Sequence, residues 1–303
     1  MNLNKINGNT YYINSHTNIG IYSFKNKNAL LIDSEINNSN ARKIDDVLTL
    51  NKLHPKYIIN THSHIDHCGG NHYFQDNYPG VLVYASTIDR VLMENSFINS
   101  SIVFSGNPTK NSFDNNTSLK VDYSIDLGLN KINDEKFNII PLYGHTLGQI
   151  GIITSDRVCF LGDSIFSDEI LSKYSFPYLF DIEKSMDTLS KIKEIDCDYF
   201  VLSHSEKILN KDEIQILATK NLANINNYLE QILELLDQPL SREDIVESLS
   251  ILNSLSMSYN NYHLNFSSVC GFLAYLYNKN MIDYSIEDGR LYYFKKGSVS
   301  NDL

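Results

Sequence analysis

Three histidines and an aspartate fall within six positions of the stretch THSHIDHCGG: His62, His64, Asp66 and His67. The whole chain has 9 histidines, so this short segment holds a large share of them. Protonated imidazoles this close together would repel one another, and the cluster therefore indicates chemistry that uses neutral imidazoles. Imidazole nitrogens and carboxylate oxygens suit zinc, iron or manganese and are too hard a donor set for copper(I).

Further ligand-type residues occur at three distant places, each just after an apolar strand. YGHTLGQIG places His145 after NIIPL, CFLGDSIF places Asp163 after RVCFLG, and FVLSHS places His204 after YFVL. One metal ion usually takes three or four protein ligands, so a second ion needs donors from outside the first cluster. Because such loops converge at one edge of a sheet, we expect these side chains to meet the histidine cluster there.

Elements that could position these residues alternate along the first two thirds of the chain. Apolar runs predict strands at TYYINS, NIGIYSF, ALLIDS, KYIIN, VLVYAS, KFNIIPL, QIGIIT, RVCFLGD and YFVLSHS. Helical spacing is found in NARKIDDVLTL, HYFQDN, EKSMDTLSKIKEI and TIDRVLMEN, the last with Thr87 as its N-cap. This alternation predicts an α/β domain over residues 1–210.

The last third of the chain is mainly helical. Apolar residues recur at heptad-like spacing over residues 214–236, and Pro239 ends that helix. SREDIVESL has a capping-box pattern from Ser241 to Asp244, and SSVCGFLAYLYNKN predicts another helix. MIDYSIEDGRLYYFKKG predicts a β-hairpin around EDGR. We therefore predict a helical, winged-helix-like region over residues 211–303.

Residues 95–118 lack the periodicity of a helix or a strand. They read as a long polar loop that carries Phe97, Phe104 and Phe113. Long loops of this kind in compact domains are often lids or binding loops. We expect this segment to line the entrance to the substrate site.

The order HxHxDH, GHT, GD and SH resembles the metallo-β-lactamase superfamily of metal-dependent hydrolases. The resemblance runs from about Tyr11 to about Ser205, roughly two thirds of the chain, and every metal-ligand position of the family is filled. It implies an α/β fold, an αββα sandwich with the active site at one edge.

The resemblance also implies a site with two divalent metal ions, zinc in the first place, with iron or manganese as the other metals. The first ion would be bound by His62, His64 and His145, and the second by Asp66, His67 and His204, with Asp163 as the bridge. Asp66 is also the candidate catalytic residue, because a carboxylate beside the attacking hydroxide can orient it and carry a proton to the leaving group.

Residues around the metal loop are expected to support it. Asp33, in LLIDS, falls where the family often has a supporting aspartate, but Ser-Glu follows it here where the family commonly has Thr-Gly. Ligating histidines need acceptors that set their tautomers, and Thr61, Thr146 and Asp33 are the candidates. Gly69 and Gly70 are expected to let the backbone pass close to the metal loop.

The other histidines and the cysteines have no such placement. We expect surface or helix-packing roles for His16, His54, His72 and His263. Cys68 lies beside the cluster, but the implied ligand set is complete without a thiolate, so we interpret Cys68 as a packing residue. The four cysteines are scattered and form no CxxC pair, which predicts free thiols in a reducing cytoplasm.

Net charge and hydropathy limit the kinds of partner that are expected for this chain. The net charge of −11 disfavours nucleic acid as a partner. No run of 18 apolar residues is present and the N-terminus lacks the apolar core of a signal peptide, so we expect a cytoplasmic protein without a membrane span. After Leu240 there are five Lys and Arg against seven Asp and Glu, so the C-terminal region is expected to wall the pocket or to form a homodimer.

The implied reaction is hydrolysis by a hydroxide held between two metal ions. Metal coordination can lower the pKa of water from about 15.7 to near 7. We predict a small-molecule substrate, either an ester, a lactone or a thioester. The alternatives are a cytosolic metal-dependent ribonuclease or phosphodiesterase, an iron-dependent persulfide dioxygenase-like enzyme, and a non-catalytic regulatory relative.

Overall fold

The computed structural model describes residues 1–106, 108–109 and 118–297. Within them, two β-sheets lie face to face, and the first has seven strands that pair in chain order. These strands are β1 (Leu3–Asn7), β2 (Thr10–Ile13), β3 (Ile19–Ser23), β4 (Asn28–Ile32), β5 (His54–Ile59), β6 (Leu82–Ala85) and β7 (Tyr123–Ser124). The strands from β1 to β4 form an antiparallel meander, and those from β4 to β7 are parallel. The meander was predicted, although β1 was not anticipated.

The second sheet has six strands in the described part of the chain. They are β8 (Gly128–Ile132), β9 (Glu135–Pro141), β10 (Ile150–Thr154), β11 (Val158–Phe160), β12 (Tyr199–Val201) and β13 (Ile208–Leu209). Only β11 and β12 pair in parallel, and the other neighbours are antiparallel. Consequently β9, β11 and β12 all end at the same edge of the sheet.

Helices cover the outer face of each sheet. Before residue 210 the described helices are α1 (Asn38–Leu50), α2 (Ile65–Cys68), α3 (Asn71–Asn77), α4 (Thr87–Glu94), α5 (Ser96–Phe104), α6 (Asp168–Lys173) and α7 (Ile182–Ile192). The prediction of Thr87 as the cap of α4 was wrong by one residue, because the Ser86 hydroxyl accepts the Asp89 backbone N–H. The side chain of Ser86 is the one that faces the free N–H groups of the first turn.

Strand β4 shows how the layers form. Leu30 and Ile32 point into the core between the two sheets, whereas Ala29 and Leu31 point into the core beneath α1. Successive side chains of a strand alternate between faces, so a strand that is covered on both sides reads as a continuous apolar run. A third core lies between the second sheet and the helices that cover it. The predicted αββα sandwich is confirmed.

Residues 95–118 differ from the predicted loop, because Ser96–Phe104 is helix α5. Tertiary contacts stabilise this helix, and its local sequence does not predict them. Ser100 and Val103 are buried, and the ring of Phe104 lies 4.2 Å from that of His263. The Phe113 part of the prediction lies outside the described residues.

The C-terminal region consists of α8 (Lys211–Leu235), α9 (Arg242–Asn253), α10 (Tyr259–Asn278) and the hairpin β14 (Ile282–Glu287) and β15 (Arg290–Lys295). The helices and the hairpin were predicted, and the capping box of Ser241 and Asp244 is present. The apolar face of α8 joins the same buried cluster as β12 and α7. A boundary at residue 210 and a winged-helix module stay predictions. None of the described helices is long and apolar enough to cross a membrane.

Candidate active site

The seven predicted ligand residues come together at one edge of the sandwich, where β5, β9, β11 and β12 end. They form two groups in which the potential ligand atoms lie within 4.8 Å of one another: His62, His64 and His145, and Asp66, His67, Asp163 and His204. In the first group, the Nδ1 atom of His64 lies 2.9 Å from Nε2 of His145. Parallel strands deliver their loops to one edge, so the order of the sheets explains the convergence.

Asp163 lies between the two groups. Its Oδ2 atom is 3.5 Å from Nε2 of His67, 3.5 Å from Nε2 of His204 and 3.7 Å from Nε2 of His145. The Asp66 carboxylate is 3.3 Å from Nε2 of His204 and 3.5 Å from Nε2 of His67. Asp163 therefore lies close to imidazoles of both groups, whereas Asp66 lies close to imidazoles of the second group only.

Backbone carbonyls orient two of the imidazoles. Nδ1 of His145 donates to the Tyr178 carbonyl at 2.9 Å, and Nδ1 of His204 donates to the His16 carbonyl at 2.8 Å. A carbonyl oxygen can only accept, so Nδ1 of each ring carries a proton. Nε2 of each ring therefore points into the cluster, and it could bind a metal ion once it is deprotonated.

Asp33 and Thr61 orient two further rings. The backbone N–H and the hydroxyl of Thr61 both donate to the Asp33 carboxylate at 2.8 Å, and Nδ1 of His67 lies 2.8 Å from the same carboxylate. The Thr61 hydroxyl oxygen is also 3.1 Å from Nδ1 of His62. Thr146 was a third candidate, but its buried hydroxyl has no hydrogen-bond partner among the described residues.

Two buried imidazole nitrogens show that the cluster suits a cation. Within the described chain, Nε2 of His62 and Nε2 of His67 have no hydrogen-bond partner. Buried polar atoms in folded proteins are almost always paired. Imidazole nitrogens and carboxylate oxygens are donors that zinc, iron and manganese all accept. The residues present therefore fit one or two divalent metal ions.

The first group is held in its neutral form. Burial lowers the pKa of His62 well below its usual value, and the neighbouring histidines lower it further. Burial likewise lowers the pKa of His64 to about 3 and that of His145 below its ordinary value. These three imidazoles are therefore unprotonated at neutral pH, as a metal ligand must be.

The second group concentrates charge. Burial alone would lower the pKa of His67 and His204, but the nearby carboxylates, first Asp163 and then Asp66, together outweigh it, and the pKa of His204 rises to about 10. Burial would raise the pKa of Asp66 and Asp163, but positively charged His67 holds the pKa of both carboxylates below the usual range. The two carboxylates thus favour positive charge at this buried place, carried either by protons on His67 and His204 or by a metal ion that displaces them.

Gly69 and Gly70 allow the close approach that was predicted for them. A Cβ atom on Gly69 would lie 2.0 Å from the Ile36 carbonyl oxygen, and one on Gly70 would lie 1.9 Å from the Ser34 carbonyl oxygen. The Gly70 N–H donates to the Glu35 carbonyl at 2.8 Å. The loop after β4 is thereby fastened to helix α2, which carries Asp66 and His67.

We expect Gly70→Ala to lower the free energy of unfolding by about 2 kcal/mol, because a methyl group and a backbone oxygen cannot share this space. Urea denaturation would measure the change. Gly106→Ala is the matched control, since nothing lies within 4 Å of a Cβ there. Equal stability of the two variants would show that the close approach is not needed.

Three contacts near the cluster were not predicted from the sequence. Asp89 is buried, accepts the Ser63 backbone N–H at 3.0 Å and so holds the residue between His62 and His64. His16 is exposed, as predicted, and the contact of its carbonyl with His204 was not anticipated. Tyr178 also acts through its carbonyl. A backbone carbonyl exists at every position, so residue types carry no signal for these two contacts.

Cys68, His54 and His263 agree with their predicted roles. The Cys68 thiol is buried and donates to the His64 carbonyl at 3.2 Å. Burial raises the pKa of this thiol well above its ordinary value, so it stays protonated. The His263 ring packs on Phe104, and the exposed His54 ring lies 5.0 Å from that of Tyr78.

An apolar chamber of about 380 Å³ opens beside the cluster. His64, Asp66, His145 and Asp163 are among its lining residues. Its apolar lining includes Ile65, Leu92, Met93, Val103, Leu119 and Leu264. Leu264 belongs to α10, so the C-terminal region helps to wall this chamber, as the sequence suggested.

Comparison with known proteins agrees with this fold and site. Residues 12–204 match the family model described as the metallo-beta-lactamase superfamily. The chain belongs to the metallo-β-lactamase superfamily and is a hydrolase of that superfamily. It is 29% identical over 206 residues to a hydroxyacylglutathione hydrolase from Buchnera aphidicola subsp. Baizongia pistaciae, which is 68% of this chain and 69% of the relative.

Two solved structures resemble almost the whole chain. A metallo-beta-lactamase family protein from Thermus thermophilus superimposes with a TM-score of 0.74 at 14% identity, over 95% of this chain and 99% of that one. A beta-lactamase domain protein from Burkholderia ambifaria gives a TM-score of 0.75 at 14% identity, over 97% and 93% of the two chains. At this identity the likeness concerns the fold alone, and it includes the C-terminal helices.

Proposed function

We propose that this protein hydrolyses a small thioester, ester or lactone with two divalent metal ions, zinc in the first place. His62, His64 and His145 would hold one ion, and Asp66, His67 and His204 the other. The observation that carries the proposal is the position of the Asp163 carboxylate, within 3.7 Å of imidazoles from both groups. A carboxylate in that position can be shared by two cations.

When bound, such ions would lower the pKa of a water molecule and stabilise the negative charge that develops on the scissile carbonyl. Asp66 is our candidate for handling the proton. Its side chain is 25% exposed, and it is among the residues that line the apolar chamber. An Asp66 carboxylate that faces the substrate can accept a proton from the attacking water and return it to the leaving group.

A thioester is the first choice among the three substrate types. The curated relatives that match this chain are named hydroxyacylglutathione hydrolases. That name describes a thioester substrate, and sequence identity near 30% supports a related bond type more readily than the same substrate.

The described C-terminal region gives the ribonuclease alternative little support. Beyond Leu240, the four cations Lys279, Arg290, Lys295 and Lys296 each lie near a carboxylate. The remaining one, Arg242, lies over the ring of Phe266 at 5.0 Å. A nucleic-acid-binding face needs cations that are available to phosphates. The described C-terminal region offers none that is unengaged.

Two accompanying predictions belong to this proposal. The cysteines are free thiols in the structure, which supports the expected cytoplasmic location. The heptad-like apolar face of α8 packs within the chain, since Ile214, Ala218 and Ile225 are buried in its own core. A homodimer would therefore need another surface.

Elemental analysis followed by a substrate screen would test the proposal. We expect two zinc ions per chain, loss of both and of activity on prolonged chelation, and recovery on adding zinc. Thioester, lactone and phosphodiester substrates should be compared under the same conditions. One iron per chain with persulfide oxidation would contradict the proposal, and so would salt-dependent RNA cleavage without thioesterase or esterase activity.

A further inference from the structure

We infer that the substrate carries an uncharged, apolar arm, such as an alkyl chain, which binds in the apolar chamber beside the metal-ligating cluster. This inference rests on the proposed function and specifies its substrate class. Neither the family nor the names of the relatives assign such a group to this chain.

The position of the apolar side chains is the first reason. Leu92, Met93, Val103 and Leu119 line the open chamber although each is at most 8% exposed. Met93 and Leu119 also belong to the core beneath α1. Their apolar surface faces the same space as the carboxylate of Asp66. A substrate with its reacting carbonyl beside Asp66 would therefore place one arm among these side chains. Burial of that arm contributes binding energy in proportion to its apolar area.

The second reason is that the described lining of the chamber has no basic side chain of the lysine or arginine type. Among the described residues that line the chamber there is no lysine and no arginine. The Asn99 side chain is engaged, because its amide donates to the Ser63 carbonyl at 3.1 Å. A carboxylate or phosphate on the substrate arm would lose its water shell in this lining without gaining a charged partner there. That desolvation opposes its binding.

The size and walls of the chamber are the third reason. A volume of about 380 Å³ lies at the lower end of the range for small-molecule pockets, roughly 300–1,000 Å³. Two elements close it: α5 supplies Val103, and α10 supplies Leu264. The ring contact between Phe104 and His263 fastens these two helices to each other. The chamber is thus bounded by two helices that contact each other, and its volume suits one short chain better than a polymer.

A series of substrates would test the inference on the full-length, zinc-loaded protein. p-Nitrophenyl esters and N-acetylcysteamine thioesters with straight acyl chains of increasing length should show kcat/KM rising about fourfold per methylene until the chamber is full. A parallel series should lengthen the alkyl group on the leaving-group side. A rise in either series supports the inference, and no dependence in both overturns it.

Charge provides a second, independent test. Acyl chains that end in a carboxylate should react at least about tenfold more slowly than uncharged chains of equal length. Leu264→Lys should reduce this discrimination by about tenfold, because it places a cation in the chamber wall. The matched control is Leu252→Lys, at a position that is 63% exposed on α9. Equal effects of the two variants would overturn the inference.

Filling the chamber gives a readout that does not need catalysis. Calorimetry with non-hydrolysable alkyl amides should show tighter binding for longer chains, and Val103→Phe should remove this dependence. Val91→Phe, on the exposed side of α4, should leave it unchanged. If the amides bind in this way but no ester or thioester is cleaved, the proposed function is wrong, while the inference that the chamber binds an apolar group is supported. If cleavage occurs without either length dependence, only the chamber fails.

Discussion

Asp163→Asn should lower kcat/KM for hydrolysis by at least about 1,000-fold while leaving the fold intact. The physical reason is that Asp163 is the carboxylate that reaches imidazoles in both groups, with His67, His145 and His204 all within 3.7 Å. An amide at this position keeps the shape of the side chain but removes its negative charge. Two cations held close together would then lose the anion that screens their mutual repulsion.

Metal content and activity should be measured together on this variant. We expect the zinc content to fall from two ions to one or none per chain, with an unchanged far-UV circular dichroism spectrum. The control is Asp168→Asn, which alters an exposed carboxylate that pairs with Lys220 and should leave both quantities unchanged. Full turnover in Asp163→Asn after loss of one metal ion would show that the two-metal mechanism is wrong.

Asp33→Asn should lower the free energy of unfolding by about 3 kcal/mol and weaken zinc binding by roughly 10- to 100-fold. Asp33 is 2% exposed and accepts hydrogen bonds from the backbone and hydroxyl of Thr61 and from Nδ1 of His67. If the NH2 group of an asparagine faced His67, it would meet the N–H at Nδ1 of that ring, and two donors cannot form a hydrogen bond. The His67 ring would lose both its partner and its fixed orientation.

The asparagine variant is informative because it leaves the backbone unstrained. Asp33 has a φ of 65°, a left-handed conformation that asparagine tolerates well. Any loss of stability is therefore due to the carboxylate rather than to the backbone. Asp46→Asn, at an exposed position of α1, is the control and should change stability by no more than about 0.5 kcal/mol. Urea denaturation and competition with a zinc chelator would measure the two effects, and wild-type values in both would show that Asp33 does not support the site.

Much of the sandwich could be predicted because its strands have distinct local signals. A strand such as ALLIDS is apolar throughout because both of its faces are covered, and the turn residues around it mark its ends. Short edge strands such as β1, β7 and β13 carry little of this signal, since a few half-exposed residues have no clear pattern. Helix α5 was missed for a related reason: SFINSSIVF lacks an amphipathic period, and contacts with α10 stabilise it.

The candidate metal ligands could be identified from the sequence, but the groups that orient those ligands could be identified only in part. HxHxDH and the single residues that follow later strands gave the seven candidate ligands, and the structure brings all seven together. Asp33 and Thr61 could be named as supports because their side chains make the contacts. The carbonyls of His16 and Tyr178 could not be named, because every residue has a backbone carbonyl and the residue type does not reveal its contacts.

By itself, the sequence determined the kind of donor atoms, the strands that carry them and the acidic character of the chain, because these depend on residue types and local spacing. Only the tertiary structure decided that Asp163 reaches both groups of imidazoles and that Leu264 completes the apolar chamber. Those two facts depend on contacts between segments far apart in the chain. The packing of the two sheets and of α5 against α10 creates these contacts, and local sequence patterns do not encode the resulting distances.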